Sequence, residues 1–220
     1  MSAAWPPPPD PLPVVAIDDH GNLTVFRVWH PTTHAPAPTD VRSWGPLYRF
    51  DPHTPPSTDP GQDPGGRVAW YTGEAFDTAL LERFNRGQSA VEVCARHFAA
   101  AVVLPASTPL LDLTVRSAEI GAPHDLGDRA DNDYDDTRAW ARAVYDSDIP
   151  AAGLRYFSAR HRDADGARYG VNVVLWRALE DAEVSQAPLA SGGGWRRTVA
   201  ALDRAGVAAD RVERCGDCLN

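Results

Sequence analysis

No apolar run in this 220-residue sequence approaches the roughly 18 to 20 residues needed to span a bilayer, which excludes a helical membrane protein. The opening stretch MSAAWPPPPDPLP has no basic flank and no apolar h-region, so no secretory signal is expected. Cysteine is scarce, at three residues, too few to staple a fold of this size, and a reducing, cytoplasmic compartment is expected. Positive charge is also short: 21 Lys plus Arg against 30 Asp plus Glu gives a formal net charge of −9 and a pI near 5.1. That argues against a general nucleic-acid binder, which needs a net basic face, but leaves room for a local pocket for one small anion. There is no G-x-S-x-G elbow, no H-E-x-x-H and no P-loop. The seven histidines show no ligand spacing, and the one C-x-x-C (Cys215, Cys218) has no second pair, so no metal is expected. What remains, 43% hydrophobic and 23% charged, is the composition of an ordinary globular domain.

Proline is unevenly spread, with fifteen of the twenty in the first 64 residues. Residues 6–9 form a run that favours an extended arm, read as a frayed tail over residues 1–13. Residues 52–66 (PHTPPSTDPGQDPGG) cannot be helix or central strand, and their composition predicts a disordered insert. Residues 14–17, 23–29 (LTVFRVW), 67–72 (RVAWYT), 110–113, 154–159 (LRYFSA) and 171–176 have the short apolar pattern of strands, as does the second half of 91–104. In EAFDTALLERFN, Phe76, Leu80 and Phe84 recur every four residues, which predicts an amphipathic helix. Thr137 is placed to cap another helix, carrying Trp140, Ala143 and Val144. A last helix opens near Trp195 and stops at Gly206. Many short strands with about three interspersed helices predict one mixed α/β or α+β domain over residues 14–220.

Five positions stand out. Arg27 lies inside the apolar strand VFRVW and Arg49 in LYRFDP, each an anion clamp or a snorkelling edge residue. Tyr71 ends a strand, and Glu82 lies on the edge of the following helix's apolar stripe. Glu82 either pairs structurally with Arg86 at i+4 or serves a site. Ser158 alternates with Tyr156 and Leu154 in LRYFSAR, so its hydroxyl points into a cleft or simply fills a strand.

Read in order, FRVW, LYRF, VAWYTGEAFDTALLE, LLDLT, TRAWARAVY, GLRYFSAR and NVVLW resemble the RES domain, a family named for its Arg, Glu and Ser. The resemblance runs from about Phe26 to Trp176. Its best-matched piece is an aromatic at a strand end with a glutamate eleven residues later, here Tyr71 and Glu82; YFSAR with Ser158 comes next. It implies a fold similar to ADP-ribosyltransferase toxins, a split β-sheet core with flanking helices around an NAD cleft. Members are typically the toxins of bacterial toxin–antitoxin pairs. They degrade NAD, as substrate, by hydrolysis or phosphorolysis, or transfer ADP-ribose to a protein. The partner is an Xre-like helix-turn-helix antitoxin, and family habit points to a homodimer.

Carried onto this sequence, the resemblance implies Glu82 as catalytic carboxylate, with Tyr71 stacked on nicotinamide and Arg27 and Arg49 at the phosphates or ribose. Ser158 would hydrogen-bond within the pocket. Breaking the nicotinamide–ribose bond builds positive charge on the ribose, which a fixed carboxylate stabilises. The family's Arg-aromatic-Asn stretch reads Arg49-Phe50-Asp51 here, which adds a carboxylate beside the expected phosphates, and the 52–66 insert separates Arg49 from Tyr71. A protein-directed ADP-ribosyltransferase uses the same pocket with a different nucleophile. A catalytically silent binding module is the third alternative.

Overall fold

The computed structural model describes residues 5–17, 20–32, 35–127, 134–162, 165–179 and 182–218. In chain order these form β1 (Leu23–Trp29), β2 (Trp44–Gly45), β3 (Gly61–Gln62), β4 (Trp70–Gly73) and helix α1 (Phe76–Phe84). Then come β5 (Ala90–Cys94), β6 (Phe98–Leu104), β7 (Leu110–Asp112) and helices α2 (Leu113–Arg116) and α3 (Asp135–Tyr145). The chain ends with β8 (Gly153–Phe157), β9 (Val171–Leu175), β10 (Glu183–Pro188), helix α4 (Gly192–Arg204) and β11 (Ala208–Val212). The class is α+β. Among the described residues no helix is long and apolar enough to cross a membrane.

Seven strands build the main sheet in the order β10-β6-β1-β4-β9-β8-β7, with β7 and β8 parallel and the other neighbours antiparallel. β1 pairs with β6 along its whole length, from Leu23 against Leu104 to Trp29 against Phe98. Its pairing with β4 is limited to Phe26 against Gly73, so the sheet has two halves that meet at one position. Beyond it, residues 38–42 run beside the open edge of β4. Arg42 and Ala69 exchange backbone hydrogen bonds of 2.9 and 2.8 Å, and the Trp70 indole donates to the Pro38 carbonyl at 2.8 Å.

Strand alternation sorts the apolar residues onto two faces. Val25 and Trp29 join Trp70, Val173 and Leu175 on one. On the other, Phe26 and Val28 pack on Leu80, Leu81 and Phe84 of α1, while Leu154, Tyr156 and Val174 pack on Trp140 and Val144 of α3. The 76/80/84 repeat of α1 is what buries that stripe. Gly73 is required where α1 begins, because a Cβ there would sit 2.8 Å from the Ala79 amide nitrogen.

Four expectations change. Residues 14–17 are irregular rather than a strand. The arm is not frayed over residues 5–13: Leu12 is buried, the Trp5 amide donates to Asp136, and the Trp140 indole donates to the Pro6 carbonyl at 3.2 Å. Proline leaves carbonyls without competing amides, and α3 supplies the donor. Thr137 does not cap α3, which begins at Asp135; its hydroxyl instead donates to the Tyr134 carbonyl. β10 and β11, too polar to show a buried face, went unread in the sequence.

The fourth concerns the insert, which is ordered. β3 pairs with β2, and the buried Asp63 carboxylate accepts from the Thr54 amide and hydroxyl and from the Gly65 and Arg67 amides. A buried carboxylate satisfied by amides can fix a Pro/Gly-rich loop that has little apolar surface to bury. Asp63→Ala should cost about 2 kcal/mol and open this segment. Limited proteolysis should then cut within residues 54–66 faster than in the parent; equal cleavage would show that another contact holds the loop.

Candidate active site

Glu82 lies on α1 with its side chain turned toward the edge where β8 ends and β9 begins. The Ser158 hydroxyl donates to Glu82 Oε1 at 2.6 Å, and the Asn172 side-chain amide donates to the same oxygen at 2.8 Å. Ser158 Oγ in turn accepts the Arg160 and His161 amides at 3.1 and 2.9 Å, so its one proton is directed at the carboxylate. Glu82 Oε2 has no hydrogen-bond partner among the described residues. Arg86 plays no part, so the i+4 structural pairing is not what holds Glu82. Asn172 Oδ1 is buried and has no hydrogen-bond partner among the described residues.

A second cluster surrounds Asp51. The Arg42 guanidinium donates to both Asp51 oxygens at 2.6 and 2.7 Å, and the Tyr71 hydroxyl donates to Oδ1 at 2.6 Å. The Leu47 and Tyr48 amides close the set on Oδ2. Burial pushes this carboxyl up, but the Arg42 charge and the hydrogen bonds from Arg42, Tyr71 and Tyr48 outweigh it and hold the group below the usual carboxylate range. Asp51 is therefore a neutralised anchor for Tyr71, and does not stand as a free charge against an anion. Tyr48 packs edge-on against Tyr71, with ring centroids 5.5 Å apart, and the Arg42 guanidinium stacks over Tyr48.

Tyr156 connects the two clusters. Buried between them, its hydroxyl is pushed well above the usual tyrosine range, first by burial and then by the Glu82 charge. Arg49 and Asp51 act on the same hydroxyl. Tyr71 is shifted the same way, by burial and then by Asp51. Both phenols stay protonated at neutral pH. His161, bonded to Thr78 Oγ1 at 2.8 Å, is pushed below the ordinary histidine value by burial, and so is neutral there.

The tertiary structure thus brings Glu82 and Ser158 into direct contact and sets Tyr71 and Arg49 around Tyr156. Arg49 Nη1 donates to the Gly127 carbonyl at 2.7 Å, and its guanidinium lies over the Tyr134 ring. Arg27 stands apart. It projects from the Val25/Trp29 face of β1, stacks over Trp70, and gives Nη1 to the Pro38 and Asp40 carbonyls at 2.7 and 2.9 Å. Burial pushes its pKa down to about 10, against the opposing pull of Asp40. Its Nε and Nη2 have no partner among the described residues. Asn172, Tyr156 and Arg42 were missed in the sequence. Asn172 carried the one available signal, an amide in the otherwise apolar strand VNVVL.

Because Asp51 is held below its unfolded value of about 3.9, its stabilisation is present above that pH and is lost as pH falls toward the folded value. Asp51→Ala should therefore cost about 3 kcal/mol at neutral pH. In urea unfolding, the gap between parent and variant should narrow below about pH 4. A gap that is constant with pH would mean the charge contributes nothing.

No curated protein and no solved structure matches the chain significantly. The RES domain model, however, matches residues 24–198, a span that holds Arg27, Arg49, Asp51, Tyr71, Glu82, Ser158 and Asn172. With most of its length so matched, this chain belongs to the RES domain family, which is associated with toxin–antitoxin systems.

Proposed function

We propose that the protein consumes NAD by cleaving its nicotinamide–ribose bond, with Glu82 as the catalytic carboxylate, and that it acts as the toxin of a toxin–antitoxin pair. The observation that carries the proposal is the state of Glu82: one oxygen is fixed by Ser158 and Asn172, the other has no hydrogen-bond partner among the described residues, and the carboxylate charge acts on the buried Tyr156 hydroxyl. An anchored carboxylate stabilises positive charge developing at the ribose without reorganising during the step. The C1′–N bond breaks with its electron pair leaving on nicotinamide. Water or phosphate then adds at C1′ and loses its proton. Nicotinamide is a good leaving group, so the step needs no strong general acid.

The other residues fit supporting roles. Tyr71, held by Asp51 and faced by Tyr48, offers a ring for nicotinamide to stack on. The unpartnered Asn172 Oδ1 is an acceptor for a carboxamide N–H or a ribose hydroxyl. Arg49 is the guanidinium on the Tyr156 side, the one placed for a phosphate or ribose. An enzyme that destroys a central cofactor needs restraint, which supports an Xre-like antitoxin as partner.

The test is NAD loss by purified protein, with and without phosphate, beside Glu82→Gln and Ser158→Ala. Glu82→Gln should lower turnover at least about 100-fold with the fold intact, and Ser158→Ala less, because Asn172 still holds Oε1. Phosphate dependence separates phosphorolysis from hydrolysis. Full activity in a folded Glu82→Gln protein would overturn the role of the carboxylate. Transfer of label from NAD to a protein would replace consumption with ADP-ribosylation.

A further inference from the structure

The three cysteines, scattered at positions 94, 215 and 218, converge with His30. Their ligand atoms all lie within 4.8 Å of one another. The fold accounts for the meeting. β5 ends at Cys94 and pairs in parallel with β11, Cys94 against Val212, so the chain leaving β11 delivers Cys215 beside Cys94. A short 3₁₀ turn, Gly216–Cys218, returns the chain, and the Cys218 amide donates to the Cys215 carbonyl at 2.9 Å. This is the knuckle by which a C-x-x-C points two sulfurs at one spot. His30 follows the last residue of β1, and its Nε2 lies 3.2 Å from Cys218 Sγ.

The distances are those of a coordination sphere. Zinc–sulfur bonds of about 2.3 Å and zinc–nitrogen bonds of about 2.0 Å at tetrahedral angles require edges of about 3.8 Å between sulfurs and about 3.5 Å from sulfur to nitrogen. The sulfur pairs stand at 3.3 Å (Cys94–Cys215), 3.6 Å (Cys94–Cys218) and 3.9 Å (Cys215–Cys218). A disulfide would need about 2.05 Å, and none of the three cysteines is joined in one. Three sulfurs in mutual contact are poorly satisfied by one another, since a thiol is a weak donor and a weak acceptor.

From this geometry we infer that Cys94, Cys215, Cys218 and His30 form a structural zinc site. Four protein ligands leave no open position, so the ion does not activate water or substrate. Three thiolates and one neutral imidazole favour zinc over hard cations, and binding releases the three thiol protons. His97 backs the site as an outer partner. Its Nδ1 accepts the Cys94 amide at 3.2 Å and lies 3.5 Å from Cys94 Sγ, and its ring meets His30 edge-on. Outer partners of this kind orient ligands. Cys218 is half-exposed, and Cys215 lines an open surface depression with Phe84 and Val91, which gives an ion a route in. The bound metal would clamp the β5–β11 pair and the 213–218 segment onto the end of β1. Composition and spacing alone predicted no metal; Cys94 and His30 are too far away in sequence to be counted with the C-x-x-C.

The inference is independent of NAD turnover, and its readouts use no activity. The full-length protein, purified with reductant from zinc-supplemented cells, should carry about one zinc per chain by elemental analysis. Titrating the thiols with a mercurial should release that zinc to a colorimetric indicator. Cobalt(II) in place of zinc should give the thiolate charge-transfer band and the intense visible bands of a tetrahedral site. Cys215→Ser with Cys218→Ser should lose the metal and lower Tm by roughly 5 °C or more; His30→Ala should shift the cobalt spectrum and loosen the metal. Because these variants can misfold, the parent decides. Zinc far below one per chain with no cobalt bands, or a disulfide among the three cysteines under reducing purification, would overturn the site. An unchanged cobalt spectrum in His30→Ala would overturn the fourth ligand.

Discussion

β1 and β4 touch at one register pair, Phe26 against Gly73, and the geometry around Glu82 follows from that narrow join. A continuous ladder would have closed the sheet and left no edge for residues 38–42 to line. With the strands parted, Trp70 and Arg27 reach the Pro38 carbonyl, Ala69 pairs with Arg42, and Arg42 is then positioned to clamp Asp51. Asp51 holds the Tyr71 hydroxyl. On the other side of the join, Gly73 admits the first turn of α1 close to the sheet, which carries Glu82 to Ser158 and Asn172.

The chain contains no lysine; all 21 of its basic residues are arginines. Their planar forks suit what the buried positions ask of them. Arg42 grips a carboxylate with one nitrogen on both oxygens, Arg27 bridges two carbonyls, and Arg138 reaches the Tyr48 carbonyl. Arg155 joins Glu74, at the turn into α1, to Asp112 at the end of β7, and these carboxylates hold its guanidinium charged. An acidic protein can thus keep local positive charge inside its polar networks, where each cation also fixes a loop or a strand end. The same networks explain how a proline-rich first third stays ordered. Its carbonyls and loop amides find partners in Trp140, Trp70, Arg27 and Asp63.

Much of the candidate site was legible because its residues interrupt regular patterns. Glu82 sits at the margin of an apolar stripe, Ser158 closes an alternating strand, and Tyr71 ends another just before the glycine that starts a helix. Their grouping follows from register, since Tyr71 opposes Val174 and Tyr156 opposes Asn172. Arg27 shows the limit of that logic. It looks like a clamp in VFRVW, yet strand alternation sends it to the face opposite Tyr71, where it serves the segment at the open edge. Asp51 shows another limit. Its partner Arg42 lies nine residues upstream on the far side of the two-residue β2, so no helical or strand periodicity links them.

The sequence by itself determined the elements whose pattern is periodic: the α1 stripe, the buried strands, the stop of α4 at Gly206, and the ordered set of short segments that marks the family. Local sterics and the burial of apolar side chains decide these, and both act over a few residues. Only the tertiary structure decided where charges meet: that Asp51 is neutralised, that the insert closes on Asp63, and that Cys94 and His30 join Cys215 and Cys218. Such contacts depend on which strands pair and in what register, and they link residues separated by up to 188 positions. Neither propensity nor spacing reaches that far.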